Sequence, residues 1–168
     1  MDCIKMVVTM NPCKCGFYPT PKCHCSEGEV MRYYHRISRP LLDRIDLHAE
    51  SEQIQYHDLV KNKAEECTSQ IRERVMKAHR KQKERYKGSR FRFNSELVSS
   101  ALEQYCPIAP EAEPEMQKIY ARKNLTARSY HRLIKVARTI ADLDESEYIE
   151  KRHLCEAVLY RPSFIQGE

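Results

Sequence analysis

The segment from Asn11 to Cys25 reads NPCKCGFYPTPKCHC, which places Cys13, Cys15, Cys23 and Cys25 as two Cys-x-Cys pairs. Thiolates are soft ligands, and four of them within reach of one another suit a tetrahedral zinc ion. Gly16, Pro19 and Pro21 lie between the pairs and supply the chain reversal that convergence requires. Paired zinc ligands usually have two residues between them, whereas here there is one, so disulfides remain the alternative. No secretory segment opens the sequence, which points to a reducing, cytoplasmic setting and favours metal. His24 stands between two of the cysteines, where its ring tends to point away, and is a weaker fifth candidate. Cys3, Cys67, Cys106 and Cys155 are scattered singly through apolar-periodic segments and read as small core residues. A thiol redox centre fits poorly, because such pairs sit at helix N-termini in an α/β setting and this sequence is otherwise helical.

The elements that would hold these residues can be read from periodicity. Ile4 to Met10 is a near-continuous apolar run with β-branched members, the pattern of a buried strand, and directly precedes the cysteines. It has no partner strand before it, so the sequence reads as opening within a domain, with an exposed apolar edge prone to association. Ser26 and Glu29 form a capping-box pattern ahead of Val30, Tyr33, Tyr34 and Ile37 at helical spacing, and Pro40 is expected to end that helix. Ile45 to Glu50 alternates as a second strand would. From Thr68, Ile71, Val75, Ala78, Gln82 and Tyr86 share one side of a long helix whose other sides carry Arg72 to Lys87, and Gly88 stops it. Four further helices are predicted near Glu96–Tyr105, Pro110–Arg122, Thr126–Leu143 and Glu150–Tyr160. In the third of these, Tyr130, Leu133, Ile134, Ala137, Ile140 and Ala141 face inward, opposite Arg128, Arg132 and Lys135.

The 168 residues suffice for one core or two small ones, and no stretch approaches the ~20 apolar residues of a membrane span. A charged fraction of 32%, four glycines and no tryptophan suit a helical protein, and a net charge of +5 fits an anionic partner.

Three blocks carry a family likeness. They are Met10-Asn11-Pro12-Cys13 with Cys15-Gly16; Pro40-Leu41-Leu42-Asp43-Arg44-Ile45-Asp46-Leu47-His48; and Thr126-Ala127-Arg128-Ser129-Tyr130-His131-Arg132 running into Val136 to Leu143. In order and separation they resemble the C-terminal part of the ComM-type magnesium-chelatase-like AAA+ ATPases. The sequence departs from the family pattern at Lys14, where proline is usual, at Arg39, where glycine is usual, and at Glu66 to Ser69. The resemblance implies a mainly α fold: the end of an AAA+ α/β core with one or two strands and the knuckle (residues 1–56), a charged linker helix (57–95) and an α-helical lid (96–168).

The resemblance also implies roles. Asn11 matches sensor 1, whose amide orients the attacking water or contacts the γ-phosphate; read from the residues alone, it equally forms an Asx turn before Pro12. Arg44 matches the arginine finger that reaches a neighbouring subunit's nucleotide, against the alternative of an ion pair with Asp43 or Asp46. Arg128 matches sensor 2, two positions after the N-cap Thr126 at a helix start suited to an anion, against the alternative of an ordinary solvated arginine. The implied assembly is a homo-oligomeric, hexameric ring that hydrolyses ATP with magnesium and remodels a partner, DNA by resemblance, away from any membrane.

Neither a Gly-x-x-x-x-Gly-Lys-Ser/Thr phosphate loop nor an apolar run ending in Asp-Glu occurs in these residues. The expectation is therefore a fragment that supplies sensors and arginine finger but is inactive alone, with ATP and magnesium entering only alongside an N-terminal half. A second reading is a freestanding zinc-knuckle nucleic-acid-binding module. It rests on the basic helix Arg72 to Lys87 and on Arg90-Phe91-Arg92-Phe93, where aromatics alternate with arginines; the plainer account of these features is a solvated helix face and two phenylalanines that anchor a linker.

Overall fold

The computed structural model describes residues 6–42, 44–51, 56 and 66–161, with only the backbone of Arg39. The backbone divides into two compact units, Met1–Arg44 and Ile45–Glu168.

In the first unit the apolar run does not form a strand. Val7 is 91% and Met6 59% exposed, and Val8 and Met10 are likewise open. Ile4 and Lys5 lie outside the described residues. The reason is pairing: a strand leaves its N–H and C=O groups unsatisfied unless a neighbour takes them, and no described segment runs beside residues 6–10. Downstream of the cysteines, α1 (Glu27–Tyr34) starts as expected. The Ser26 hydroxyl accepts from the Glu29 N–H at 3.3 Å and the Glu29 carboxylate accepts from the Ser26 N–H at 3.0 Å. Pro40 does not end this helix. His35 caps it, and Pro40 sits instead in the first turn of the short α2 (Arg39–Leu42), where its missing N–H costs nothing.

The regular structure of the second unit's described residues is helical. Residues 45–50 form no strand either; the His48 N–H donates to the Tyr160 carbonyl at 3.0 Å and Asp46 pairs with Arg132 at 2.7 Å. The β-type pairing among the described residues is one isolated bridge, Ile108 to Ile149. The long helix α3 (Thr68–Arg85) buries Ala78 and Gln82 and is followed by buried Tyr86, while Ile71 and Val75 on the same side stay 43% and 41% exposed. Gly88 follows with φ +80°, a backbone setting that suits glycine and turns the chain away.

The helix expected near Glu96 is mostly two 3₁₀ turns, Asn94–Glu96 and Ser99–Ala101, before α4 (Leu102–Tyr105). Ser95, Ser99 and Ser100 lower helix propensity there. Next come α5 (Glu113–Arg122), α6 (Ala127–Leu143) and α7 (Lys151–Leu159), close to their predicted bounds. Leu133, Ile134 and Ala137 of α6 meet Leu154 and Ala157 of α7 and Met116 and Ile119 of α5 in one buried cluster. Helix α6 is the central strut of this lid, and its N-terminus presents Arg128.

Candidate functional site

The four cysteines converge. Cys13 is fully buried, with its Sγ 3.3 Å from that of Cys15 and 3.8 Å from that of Cys23; Cys15 and Cys23 are 3.6 Å apart. All four sulfurs lie within 4.8 Å of one another and none is in a disulfide. Around zinc with Zn–S of about 2.3 Å, tetrahedral sulfurs stand about 3.8 Å apart, so the observed spacing fits that ion.

Backbone geometry builds the cradle. The Gly16 N–H donates to the Cys13 carbonyl at 3.1 Å, with Gly16 at φ +82°, and the Cys23 N–H donates to the Thr20 carbonyl at 2.9 Å. Burial pushes the Cys13 thiol up, but backbone amides of Tyr18 and Phe17 and the thiols of Cys15 and Cys23 outweigh it and hold Cys13 at about 6. The amides of Phe17 and His24 hold Cys15 below the ordinary thiol range. Cys23 is pushed up to about 12: the Cys25 amide favours its thiolate, but burial and the neighbouring sulfurs prevail. Cys25 is raised as well, against the stabilising Cys15 amide, by the Cys15 thiol and by burial. Crowded sulfurs cannot all ionise together without a cation among them, and a dication supplies the missing charge. His24 is exposed and lies outside the convergent group.

The other predicted residues stand on separate elements. Asn11 is exposed, and its amide nitrogen lies 3.8 Å from where a Cβ on Gly16 would stand, so the side chain lies over the Gly16 turn. Arg44 is exposed and donates from Nη1 to the Pro40 carbonyl at 3.2 Å, folding back on α2. Asp43 lies outside the described residues, and Asp46 pairs with Arg132. Arg128 occupies the second position of α6, exposed, beside the N-cap Thr126 whose hydroxyl accepts from the Ser129 N–H at 3.2 Å. Positive charge next to free backbone N–H groups makes this helix start receptive to an anion.

A cleft of about 450 Å³ in the second unit has an apolar floor of Leu102, Ile108 and Ile134, with Glu103, Glu113 and His131 at its edge. With two carboxylates and no lysine or arginine in its lining, it does not suit a polyphosphate. Of the Arg-Phe-Arg-Phe run, Phe91 packs edge-on against Tyr86 and Tyr105 at 6.2 and 6.0 Å, so it anchors the lid. Phe93 is more open, edge-on to His79 at 5.6 Å with Arg92 above it at 5.9 Å.

Two family models cover most of the chain: "Magnesium chelatase, subunit ChlI C-terminal" matches residues 65–161, and "Magnesium chelatase, subunit ChlI" matches residues 3–59. This chain belongs to the magnesium-chelatase-like family. Among relatives, Competence protein ComM of Haemophilus influenzae is 35% identical over 159 residues, covering 94% of this chain and 30% of that protein. The uncharacterized protein YifB of Escherichia coli is 35% identical over 158 residues, with the same coverage. The uncharacterized protein Rv2897c of Mycobacterium tuberculosis is 31% identical over 143 residues, 83% of this chain and 27% of its own length. The chain thus spans about 30% of the length of the first two relatives. Among the described residues no helix is long and apolar enough to cross a membrane.

The lid of this magnesium-chelatase-like chain also holds a polar centre that the sequence reading missed. Arg138 and Asp142, one turn apart on α6, are both fully buried. Asp142 accepts from Arg138 Nη2 at 3.0 Å, from Arg85 Nη1 at 3.0 Å and from Asn94 Nδ2 at 2.9 Å, with a further bond from Arg85 Nη2. Arg138 also donates to the carbonyls of Ser146 and Glu147, both at 2.6 Å. Asn94 accepts from the Tyr86 hydroxyl at 2.6 Å. The signal was present: two opposite charges, four residues apart, interrupt an otherwise apolar face of the α6 sequence.

Proposed function

We propose that this chain supplies the sensing half of an AAA+ ATPase. Asn11 serves as sensor 1, Arg44 as the arginine finger and Arg128 as sensor 2, in a homo-oligomeric and hexameric cytoplasmic ring that remodels DNA. Cys13, Cys15, Cys23 and Cys25 hold one structural zinc. The observation that carries the reading is the ordered family match across both units, with Arg128 standing exposed at a capped helix start. Exposure suits Arg44 to the same purpose, because a finger that reaches another subunit's nucleotide cannot be consumed by a buried partner. Phosphoryl transfer depends on positioned charge more than on covalent chemistry, so one amide and two guanidinium donors are an apt contribution.

The phosphate loop and the magnesium-binding acidic run are absent from these residues, and the chain by itself is therefore expected not to turn ATP over. Joining it to a P-loop-bearing N-terminal half, of the kind the family resemblance implies, tests the reading. ATP hydrolysis that appears only in the joined protein supports it, and a joined, folded protein without ATP hydrolysis overturns it.

A further inference from the structure

The knuckle presents more than its sulfurs. Phe17 is 50% and Tyr18 40% exposed, adjacent in sequence at the turn between the two Cys-x-Cys pairs. Other large apolar side chains are exposed as well, but these two rings are adjacent on one turn. The backbone that carries them is not loose, because both the N–H and the hydroxyl of Thr20 donate to the Phe17 carbonyl, at 2.7 and 2.6 Å, and the Gly16 N–H donates to the Cys13 carbonyl at 3.1 Å. The loop itself carries positive charge only: from Asn11 to Cys25 there is no Asp or Glu, and Lys14 and Lys22 are exposed, with Glu29 of α1 near Lys14.

We propose that this loop is a contact surface for single-stranded nucleic acid, with Phe17 and Tyr18 stacking on bases and Lys14 and Lys22 meeting the flanking phosphates. The proposal rests on the reading that the partner is DNA and names where on this chain it is touched. Aromatic faces accept any base, and lysines follow the backbone, so the expected binding is sequence-tolerant and salt-dependent. Duplex DNA hides the faces of its bases within the stack, which is why the open rings favour a single strand.

The test uses the zinc-loaded 168-residue chain and a fluorescein-labelled oligo(dT) at low salt. Phe17→Ala with Tyr18→Ala is expected to weaken binding roughly tenfold or more, and Lys14→Gln with Lys22→Gln to flatten the salt dependence by about one to two charges. Phe17→Tyr is expected to retain affinity. Because the chain has no tryptophan, Phe17→Trp gives a single reporter whose emission is expected to be quenched by unlabelled oligo(dT). That reporter decides the matter if the alanine variant loses its zinc. Wild-type binding with unchanged affinity in the alanine variant and no quenching would overturn the proposal while leaving the DNA reading intact. Equal, ring-dependent binding to a duplex would overturn the single-strand assignment, and no binding to either nucleic acid would overturn both.

Discussion

Arg85, the last residue of α3, grips Asp142 near the end of α6 with both guanidinium nitrogens, one of them at 3.0 Å, across 57 residues of sequence. This pair ties the long basic helix to the lid. Its carboxylate is fully buried and already shared with Arg138, so the α3 to α6 junction depends on one negative charge that serves two positive ones.

Removing that charge should be costly. Asp142→Ala leaves buried Arg138 without its counter-charge, and loss of one partner from a buried pair typically destabilises by about 3–5 kcal/mol. Arg85→Met should cost less, because Arg85 is partly exposed and Asp142 keeps Arg138 and Asn94. Urea unfolding followed by circular dichroism compares the two; equal and small losses would show that the network does not hold the lid.

Metal loading should be lost in acid. Ligand thiols must shed protons to bind, and the most acidic of the four, Cys13, is held at about 6. Affinity is expected to rise with pH and to weaken steeply below about 6, with close to one equivalent of zinc bound at neutral pH in reducing buffer. Titration with a chromogenic chelator across pH measures this. A flat profile, or no metal after purification with zinc present, contradicts the assignment.

Stability should fall on the alkaline side through two identified groups. Burial pushes Cys106 up to about 11 and Tyr86 up to about 12, from ordinary values of 9.0 and 10.0. Both are acids buried in the neutral form, so the unfolded chain releases their protons first. Folded-state stability is then lost as pH rises from about 9 to about 12, and is fully present below that window. Cys106→Ala should remove the part that begins near 9, as read by urea midpoints against pH.

Gly16→Ala should damage the knuckle although there is room for the methyl group. The nearest non-adjacent atom would be 3.8 Å away, so the penalty comes from φ +82° rather than from a clash. Zinc should be released by chelator faster than from the wild type, while the lid's cooperative unfolding stays unchanged.

Much of this was legible in the sequence, and the exceptions share a cause. Capping pairs, apolar stripes and punctuating glycines act within a few residues, which is why the start of α1 and the bounds of α3, α6 and α7 emerged close to those expected. Cysteine spacing and turn residues likewise encode the knuckle locally. Residues 6–10 and 45–50 were misread as strands because strand formation depends on a partner elsewhere, and neither segment carries that information. Pro40 was misread because proline breaks a helix interior but suits a first turn, and pattern alone did not separate the two settings. Arg138 and Asp142 went unnoticed because a charge on an apolar face looks like noise until its partners Arg85 and Asn94 come from other elements.

The central claim is that this chain completes an ATPase by supplying Arg44. The most direct measurement is steady-state ATP turnover of the joined protein with Arg44→Ala and, separately, Arg44→Lys. A fall of roughly 10³-fold or more in kcat with nucleotide affinity retained, and little rescue by lysine, is the predicted result. Turnover equal to wild type in both variants, with assembly intact, would contradict it.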